Sequence, residues 1–199
     1  MIDPKINSIL DEANRLFLQG KLKEAITYYD NILDEHPKHL SSLNNKGYAL
    51  SKLKDFKSAL KCYDAALHVY PDDLSVLINK ISSLRKMKNF IKALSLCDLI
   101  LKNNTKYNIV LYHQERILFS MQKFQESILC CNKILNDYPD NGDVLFDKSC
   151  CFVMLSNYDE ALDILEHSIS QGIQYKIKAQ QSKFFEKLLN NTRFQKLTL

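Results

Sequence analysis

The sequence predicts an all-α protein built from one helical hairpin that repeats along the chain. Three observations carry this prediction: prolines recur at a fixed interval, apolar side chains recur with helical period, and small side chains recur at one place in every repeat. Pro37, Pro71 and Pro139 lie on a 34-residue spacing, and Thr105 stands where a further proline would complete the series. A fixed period of about 20–50 residues is typical of repeat architectures, in which neighbouring repeats bury one continuous core.

The periodic part of the chain divides into five blocks. They cover residues 6–39, 40–73, 74–107, 108–141 and 142–173. The eleventh and seventeenth positions of every block are large and apolar, and the twentieth position is small. The residues at the twentieth position are Ala25, Ala59, Ala93, Ser127 and Ala161. Because small side chains allow two helices to approach closely, this column predicts the contact between the two helices of each hairpin.

Helix boundaries repeat with the same period. Pro4 opens the first helix, since proline is tolerated at the first helical position. Three polar residues that can accept hydrogen bonds from N-terminal amides precede the second helix of their blocks: Asp55, Asn89 and Asn157. The recurring prolines end the second helix, because proline cannot continue the backbone ladder. We therefore expect ten repeat helices of roughly 13 residues each, joined by short turns.

Residues 174–199 do not begin a further block. They contain six Lys and Arg residues against the single acid Glu186, whereas the whole chain carries a formal charge of only +4. Apolar residues fall among these cations at helical spacing, and the ends of repeat arrays need a polar outer face. We expect a repeat array over 1–173, followed by a basic capping helix and a short piece around Arg193, Phe194 and Leu197.

Composition excludes several classes of protein. No run of about 18 apolar residues exists, so no membrane span is expected, and the N-terminus lacks the apolar core of a signal peptide. The sequence therefore predicts a cytoplasmic protein with reduced thiols at its six cysteines. With four glycines, no C-x-x-C pair and no nucleophile–base pattern, neither a cofactor nor catalysis is expected.

The segments 44–67 and 154–169 resemble the tetratricopeptide repeat, whose 34-residue period and small-residue, aromatic and proline pattern they share. The resemblance covers roughly 6–175 and implies a right-handed superhelical solenoid of five helical hairpins with a C-terminal cap. The small eighth position of the repeat becomes Ile81 and Glu115 in the middle blocks. There we expect wider packing, with Glu115 escaping to water. The alternative is a buried pairing of Glu115 with Arg116 or with the cation of a neighbour.

The resemblance also implies a concave groove lined by the first helix of every hairpin. The residues expected to bind a peptide there are Asn14, Phe17, Asn45, Tyr48, Asn79, Arg85, Tyr112, Arg116, Phe119 and Phe146. Asparagine amides both donate to and accept from an extended peptide backbone, and arginines suit acidic side chains. We expect a groove that is apolar at both ends and cationic in the middle. The alternative for these polar residues is a merely solvated helix face.

One subfamily clamps a C-terminal carboxylate with two asparagines and three cations. Asn14 and Asn45 match the asparagines, but Leu10, Ser75 and Asn79 stand where the cations belong. A carboxylate clamp is therefore not expected.

Three functions remain open from the sequence. The first is a scaffold or adaptor that holds a peptide or partner helix in the groove. The second is binding of RNA or an anionic surface through the basic C-terminal segment. It ranks lower because nucleic-acid-reading relatives have a 35-residue repeat and the groove lacks a consistent base-reading pair. The third is a self-associating structural module, which would make the protein a homo-oligomer.

Overall fold

The fold is taken from a computed structural model, which describes residues 4–103 and 108–199. Residues 1–3 and 104–107, which include Thr105, lie outside this description. Within the described residues every regular element is helical, so the predicted all-α class is confirmed.

The described helices follow the predicted order. The helices of the five blocks are α1 (Pro4–Leu18), α2 (Leu22–Glu35), α3 (Leu40–Lys52), α4 (Phe56–Val69), α5 (Leu74–Lys86), α6 (Phe90–Asn103), α7 (Asn108–Ser120), α8 (Phe124–Asp137), α9 (Gly142–Met154) and α10 (Tyr158–Ser170). Beyond them lie α11 (Ile173–Gln181), a 3₁₀ helix (Lys183–Leu188) and α12 (Thr192–Thr198). Ten repeat helices are present among the described residues, and α12 matches the expected terminal piece.

The chain forms two compact units. Unit 1 is Met1–Leu96 and holds α1 to α5 with the first part of α6; unit 2 is Cys97–Leu199 and holds the remainder. In unit 1, each helix from α1 to α4 packs on the next, and α3 also packs on α5. In unit 2, the same succession runs from α7 to α12, and the 3₁₀ helix packs on α9. The division into a repeat array over 1–173 and a cap over 174–199 stays a prediction.

The column of small residues lies in the core, as expected. All five side chains at the twentieth position of the blocks have no exposed surface. All six cysteines are free; five are buried and Cys62 is half-buried. Burial raises the pKa of each thiol, to about 11 at Cys130 and to about 12 at Cys97. The thiols therefore fill space in the core in their neutral form.

Hairpin cores balance large against small side chains. Gly47 faces Tyr63, and a Cβ built on Gly47 would lie 2.6 Å from the Tyr63 Cε1 atom. In the fourth block the pair at the same two positions is Glu115 and Cys131. The expectation that Glu115 escapes to water is wrong: it is 1% exposed, and the Ser127 Oγ donates a hydrogen bond of 3.0 Å to its Oε1. The small cysteine at the facing position makes room for the longer carboxylate side chain.

Helix starts agree only partly with the sequence. Asp55 caps α4, since its Oδ1 accepts from the Ser58 backbone N–H at 3.1 Å. Asn157 precedes α10 but makes no capping hydrogen bond with its side chain, so that expectation is wrong. Asn89 precedes α6, where its carbonyl accepts from the Ala93 N–H at 3.1 Å. First helices carry caps that were not anticipated, for example Asp73 on α5 at 2.9 Å.

First helices all end in the same backbone conformation. Five described residues adopt a left-handed backbone conformation, with φ angles from 60° to 78°. They are Gly20, Lys54, Lys88, Gln122 and Ser156, spaced by 34 residues. At Lys54 the φ angle is 65°, its N–H donates to the Ser51 carbonyl, and the Asp55 N–H donates to the Leu50 carbonyl. This left-handed residue closes the helix and turns the chain into the second helix.

Candidate functional site

An open pocket lies on the first helices of unit 1. Asn14, Phe17 and Leu18 of α1 line it together with Asn45 and Tyr48 of α3, and Tyr29 of α2 closes its floor. Its volume is about 220 Å³. We call it the Phe17 pocket. Four of the ten predicted groove residues thus meet in one place, although Asn14 and Asn45 are 31 residues apart in the chain.

The floor of the Phe17 pocket is a hydrogen-bond network. Asn14 Oδ1 accepts from the Tyr29 hydroxyl at 2.8 Å and from Asn45 Nδ2 at 3.0 Å. These bonds orient both amides. These bonds engage Asn14 Oδ1 and Asn45 Nδ2, and each amide carries a second polar atom, Asn14 Nδ2 as a donor and Asn45 Oδ1 as an acceptor, that can bond to another molecule.

The walls of the Phe17 pocket are apolar. The rings of Phe17 and Tyr48 lie 5.4 Å apart between centroids, tilted by 33°. Tyr48 is 37% exposed and Leu18 is 84% exposed. Lys52 places its Nζ 5.3 Å from the centre of the Tyr48 ring. The pocket therefore combines two aromatic walls with a cation near its rim.

The other predicted residues of unit 1 do not line this pocket. Asn79 donates from Nδ2 to the Asn44 Oδ1 at 3.0 Å, which joins α5 to α3. Arg85 is half-buried in the last turn of α5. Asparagines on first helices therefore bond to one another between neighbouring repeats.

In unit 2 the predicted cation already has a partner. Arg116 Nη1 donates to Asp147 Oδ2 at 2.8 Å and to the Tyr112 hydroxyl at 3.0 Å. Burial raises the pKa of Asp147, whose side chain is 15% exposed, and the Arg116 guanidinium opposes that rise. The charge that Arg116 was expected to offer to an acidic ligand is therefore already paired with a carboxylate from α9.

The last two predicted residues are covered by the chain itself. Phe119 packs against Phe184 with ring centroids 5.0 Å apart and an angle of 88°. Phe146 is 3% exposed, with the Phe185 ring 5.7 Å away and the Lys178 Nζ 4.3 Å from its ring centre. The expectation that Phe146 is open to a ligand is wrong, because residues 173–199, which we call the C-terminal segment, fold back onto α9.

The C-terminal segment is held by its own contacts. Phe185 is fully buried and stacks on Phe194 at 5.5 Å. Arg193 pairs with Asp163 at 2.7 Å and with Glu166 at 2.9 Å. Lys178 pairs with Asp143 at 3.4 Å. Two of the six cations predicted to meet an anionic surface are therefore engaged within unit 2. The helical spacing of apolar residues in this segment indicated that one of its faces is buried. It did not indicate that this face packs on α9.

Residues 4–103 and 108–199 contain no group of three or more His, Cys, Asp or Glu side chains able to hold a metal ion. No helix within those ranges has the length and apolar character needed to span a bilayer.

Sequence models of the tetratricopeptide repeat match residues 14–39 and 41–73. These ranges include α2 and α4 entire, α3 except its first residue, and the last third of α1. They also contain every residue that lines the Phe17 pocket. The chain thus contains tetratricopeptide repeats. Proteins of this family generally mediate protein–protein interactions and are typically not enzymes. No curated protein matches the chain in sequence.

Solved structures share the fold at low sequence identity. A tetratricopeptide repeat protein from Parabacteroides merdae is 18% identical with a TM-score of 0.73, covering 99% of this chain and 84% of its own. MamA from Desulfovibrio magneticus is 16% identical with a TM-score of 0.77, covering 92% and 100%. YrrB, a tetratricopeptide repeat protein with an unusual peptide-binding site, is 16% identical with a TM-score of 0.68, covering 87% and 91%.

Proposed function

We propose that this tetratricopeptide repeat protein is an interaction scaffold whose first helices in unit 1 bind an extended segment of a partner protein. The observation that carries the proposal is the Phe17 pocket, with its exposed apolar walls over two oriented amides. Exposed apolar side chains gathered around polar groups are typical of interaction sites.

The size of the Phe17 pocket favours a peptide side chain over a free small molecule. Small-molecule sites generally enclose about 300–1,000 Å³, whereas this pocket holds about 220 Å³. One side chain of a partner would enter it. The Asn14 Nδ2 and Asn45 Oδ1 atoms would then bond to the partner's backbone, which offers one acceptor and one donor per residue.

A longer peptide would reach the remaining predicted positions of unit 1. We assign Asn79 and Arg85 on α5 to contacts beyond the anchor. In unit 2 we assign Tyr112 and the exposed part of Arg116 to a separate, weaker contact, and we leave Phe146 out. Among solved structures of the same fold, YrrB supports a peptide ligand by its described peptide-binding site. The expected affinity is micromolar, or about −8 kcal/mol.

The test begins with selection of binders from a random peptide library displayed on phage, using the full chain as bait. Selected peptides are then titrated calorimetrically against the wild type and against Phe17→Ala/Tyr48→Ala. We expect at least a tenfold loss of affinity, because truncating aromatic anchors removes most of the apolar contact area.

A matched control is Ile91→Ala, since Ile91 is 78% exposed on α6 and lies outside the Phe17 pocket. This variant should bind the peptides as the wild type does. Circular dichroism should show both variants folded. Equal affinity of the selected peptides for the wild type and the double variant would exclude the pocket as the binding site.

A further inference from the structure

The twelfth position of the repeat block is aromatic in two repeats. Its five residues are Phe17, Ser51, Arg85, Phe119 and Val153. Phe17 belongs to unit 1 and Phe119 belongs to unit 2. The same side chain at the same repeat position therefore occurs once in each unit, in two different surroundings.

At Phe119 the chain supplies an occupant of its own. Phe184, from the 3₁₀ helix, packs its ring at 88° to the Phe119 ring with centroids 5.0 Å apart. Edge-to-face packing at about 4.5–7 Å is a favoured arrangement of two aromatic rings. Phe184 is still 39% exposed and comes from outside the five blocks, so it contacts the first helix much as the side chain of a separate ligand would.

In the part of the chain that the structure describes, no such occupant lies at Phe17. Among the described residues Phe17 has one ring neighbour, Tyr48, whose ring is tilted by 33° to it and forms the other wall of the Phe17 pocket. Leu18 beside it is 84% exposed. The space of about 220 Å³ between these walls is open.

We infer that the partner segment enters the Phe17 pocket with an aromatic side chain, whose ring packs on Phe17 as the Phe184 ring packs on Phe119. The inference rests on the proposed function and adds the chemical class of the anchor. It uses the contact within unit 2 as a precedent for a contact between two molecules. A saturated side chain of the same size fills the same volume but lacks the quadrupole that favours the edge-to-face arrangement.

The experiment compares three peptides that differ only at the anchor. They share a sequence selected on the full-length chain, and the anchor is phenylalanine, cyclohexylalanine or alanine. Calorimetry should show the cyclohexylalanine peptide binding about threefold to tenfold more weakly than the phenylalanine peptide, and the alanine peptide weaker still. Cyclohexylalanine keeps the bulk of the ring and removes its π system, so this step isolates the aromatic contribution.

The matched protein variant is Phe17→Leu, which keeps an apolar wall and removes the ring. We expect this variant to bind the phenylalanine and cyclohexylalanine peptides with equal affinity. The variant should also unfold at a temperature close to that of the wild type, since Phe17 is only partly buried.

The possible outcomes separate the two proposals. Selected peptides with aliphatic anchors that lose binding to Phe17→Ala would overturn the aromatic anchor and leave the peptide site standing. Equal binding of the phenylalanine and cyclohexylalanine peptides to the wild type would do the same. Peptides that ignore every substitution in the Phe17 pocket would overturn the proposed site, and the anchor with it.

Discussion

Unit 1 leaves two aromatic groove residues open, whereas unit 2 covers two of its own with a later part of its chain. Phe17 and Tyr48 line a pocket, while Phe119 packs on Phe184 and Phe146 is buried beneath Phe185. The repeats themselves are built alike in the two units. The difference therefore teaches that a first-helix surface is open or buried according to the chain that follows the repeats, as well as its own side chains.

Among the substitutions that test this comparison, we expect the largest effect from removal of Phe185, the buried anchor of the C-terminal segment. Phe185 has no exposed surface and packs between Phe146 and Phe194. Phe185→Ala should lower the free energy of unfolding by about 3–5 kcal/mol, because it removes a full side chain and leaves a cavity. Hydrogen exchange measured by mass spectrometry should show the loss of protection in α9 and the C-terminal segment.

The counterpart in unit 1 is Phe17→Ala. Its ring is partly buried against the α1–α2 core, so its removal should cost less stability than the loss of Phe185 and should act mainly on peptide binding. If Phe185→Ala lowered protection equally in α1 to α4, the C-terminal segment would not be specific to unit 2, and the comparison would fail.

A smaller effect is expected at the tightest hairpin of unit 1. Gly47→Ala would place a Cβ 2.6 Å from the Tyr63 ring, and Tyr63 is fully buried. Overpacking of this kind typically costs about 1–3 kcal/mol. Urea denaturation followed by circular dichroism should show a lower midpoint.

Adding Tyr63→Leu to Gly47→Ala sharpens the comparison, because it brings the hairpin close to the Ser149 and Leu165 pair that unit 2 has at the same two positions. The double variant should be more stable than Gly47→Ala alone. A double variant less stable than Gly47→Ala would contradict the view that a larger side chain at one of these positions requires a smaller one at the other.

The smallest expected effect concerns a feature that the units share. Lys54 in unit 1 and Gln122 in unit 2 adopt φ angles of 65° and 62°, a conformation that costs an L-residue about 1–2 kcal/mol. Lys54→Gly and Gln122→Gly should each raise the free energy of unfolding by about 1 kcal/mol, since glycine adopts this conformation readily. The urea midpoint measures both.

Gly20, which occupies the same repeat position, gives the reverse control. Gly20→Ala should destabilise unit 1, because alanine is strained at a φ of 78° although the surrounding space is open. If all three substitutions lowered stability, the closing residue would be chosen for its side chain and not for its backbone.

The periodic part of this fold could be predicted because each sequence feature of the repeat recurs in several blocks. The prolines at 37, 71 and 139 stand two residues beyond the ends of α2, α4 and α8, and the small column lies in the core in every block. Repetition separates a positional requirement from chance. Features shared by all repeats were therefore within reach of the sequence.

Structural features that occur only once in the chain could not be predicted from the repeat pattern. The return of the C-terminal segment onto α9, which buries Phe146, depends on one set of tertiary contacts outside the repeat. The pairing of Arg116 with Asp147 joins two repeats through residues that are not repeated elsewhere. Glu115 was expected in water because its column is usually small, and the compensating Cys131 was visible only as a neutral thiol.

The buried cysteines of unit 2 can be used to detect local unfolding of that unit. The five fully buried cysteines all lie between Cys97 and Cys151, and unit 1 holds only Cys62. Burial keeps these sulfurs protonated near neutral pH, with the pKa of Cys151 raised to about 12, and alkylating reagents attack the thiolate. The buried cysteines of unit 2 in the native chain should thus react slowly with alkylating reagents. The labelling rate of each sulfur would then measure how often the helix that carries it opens locally.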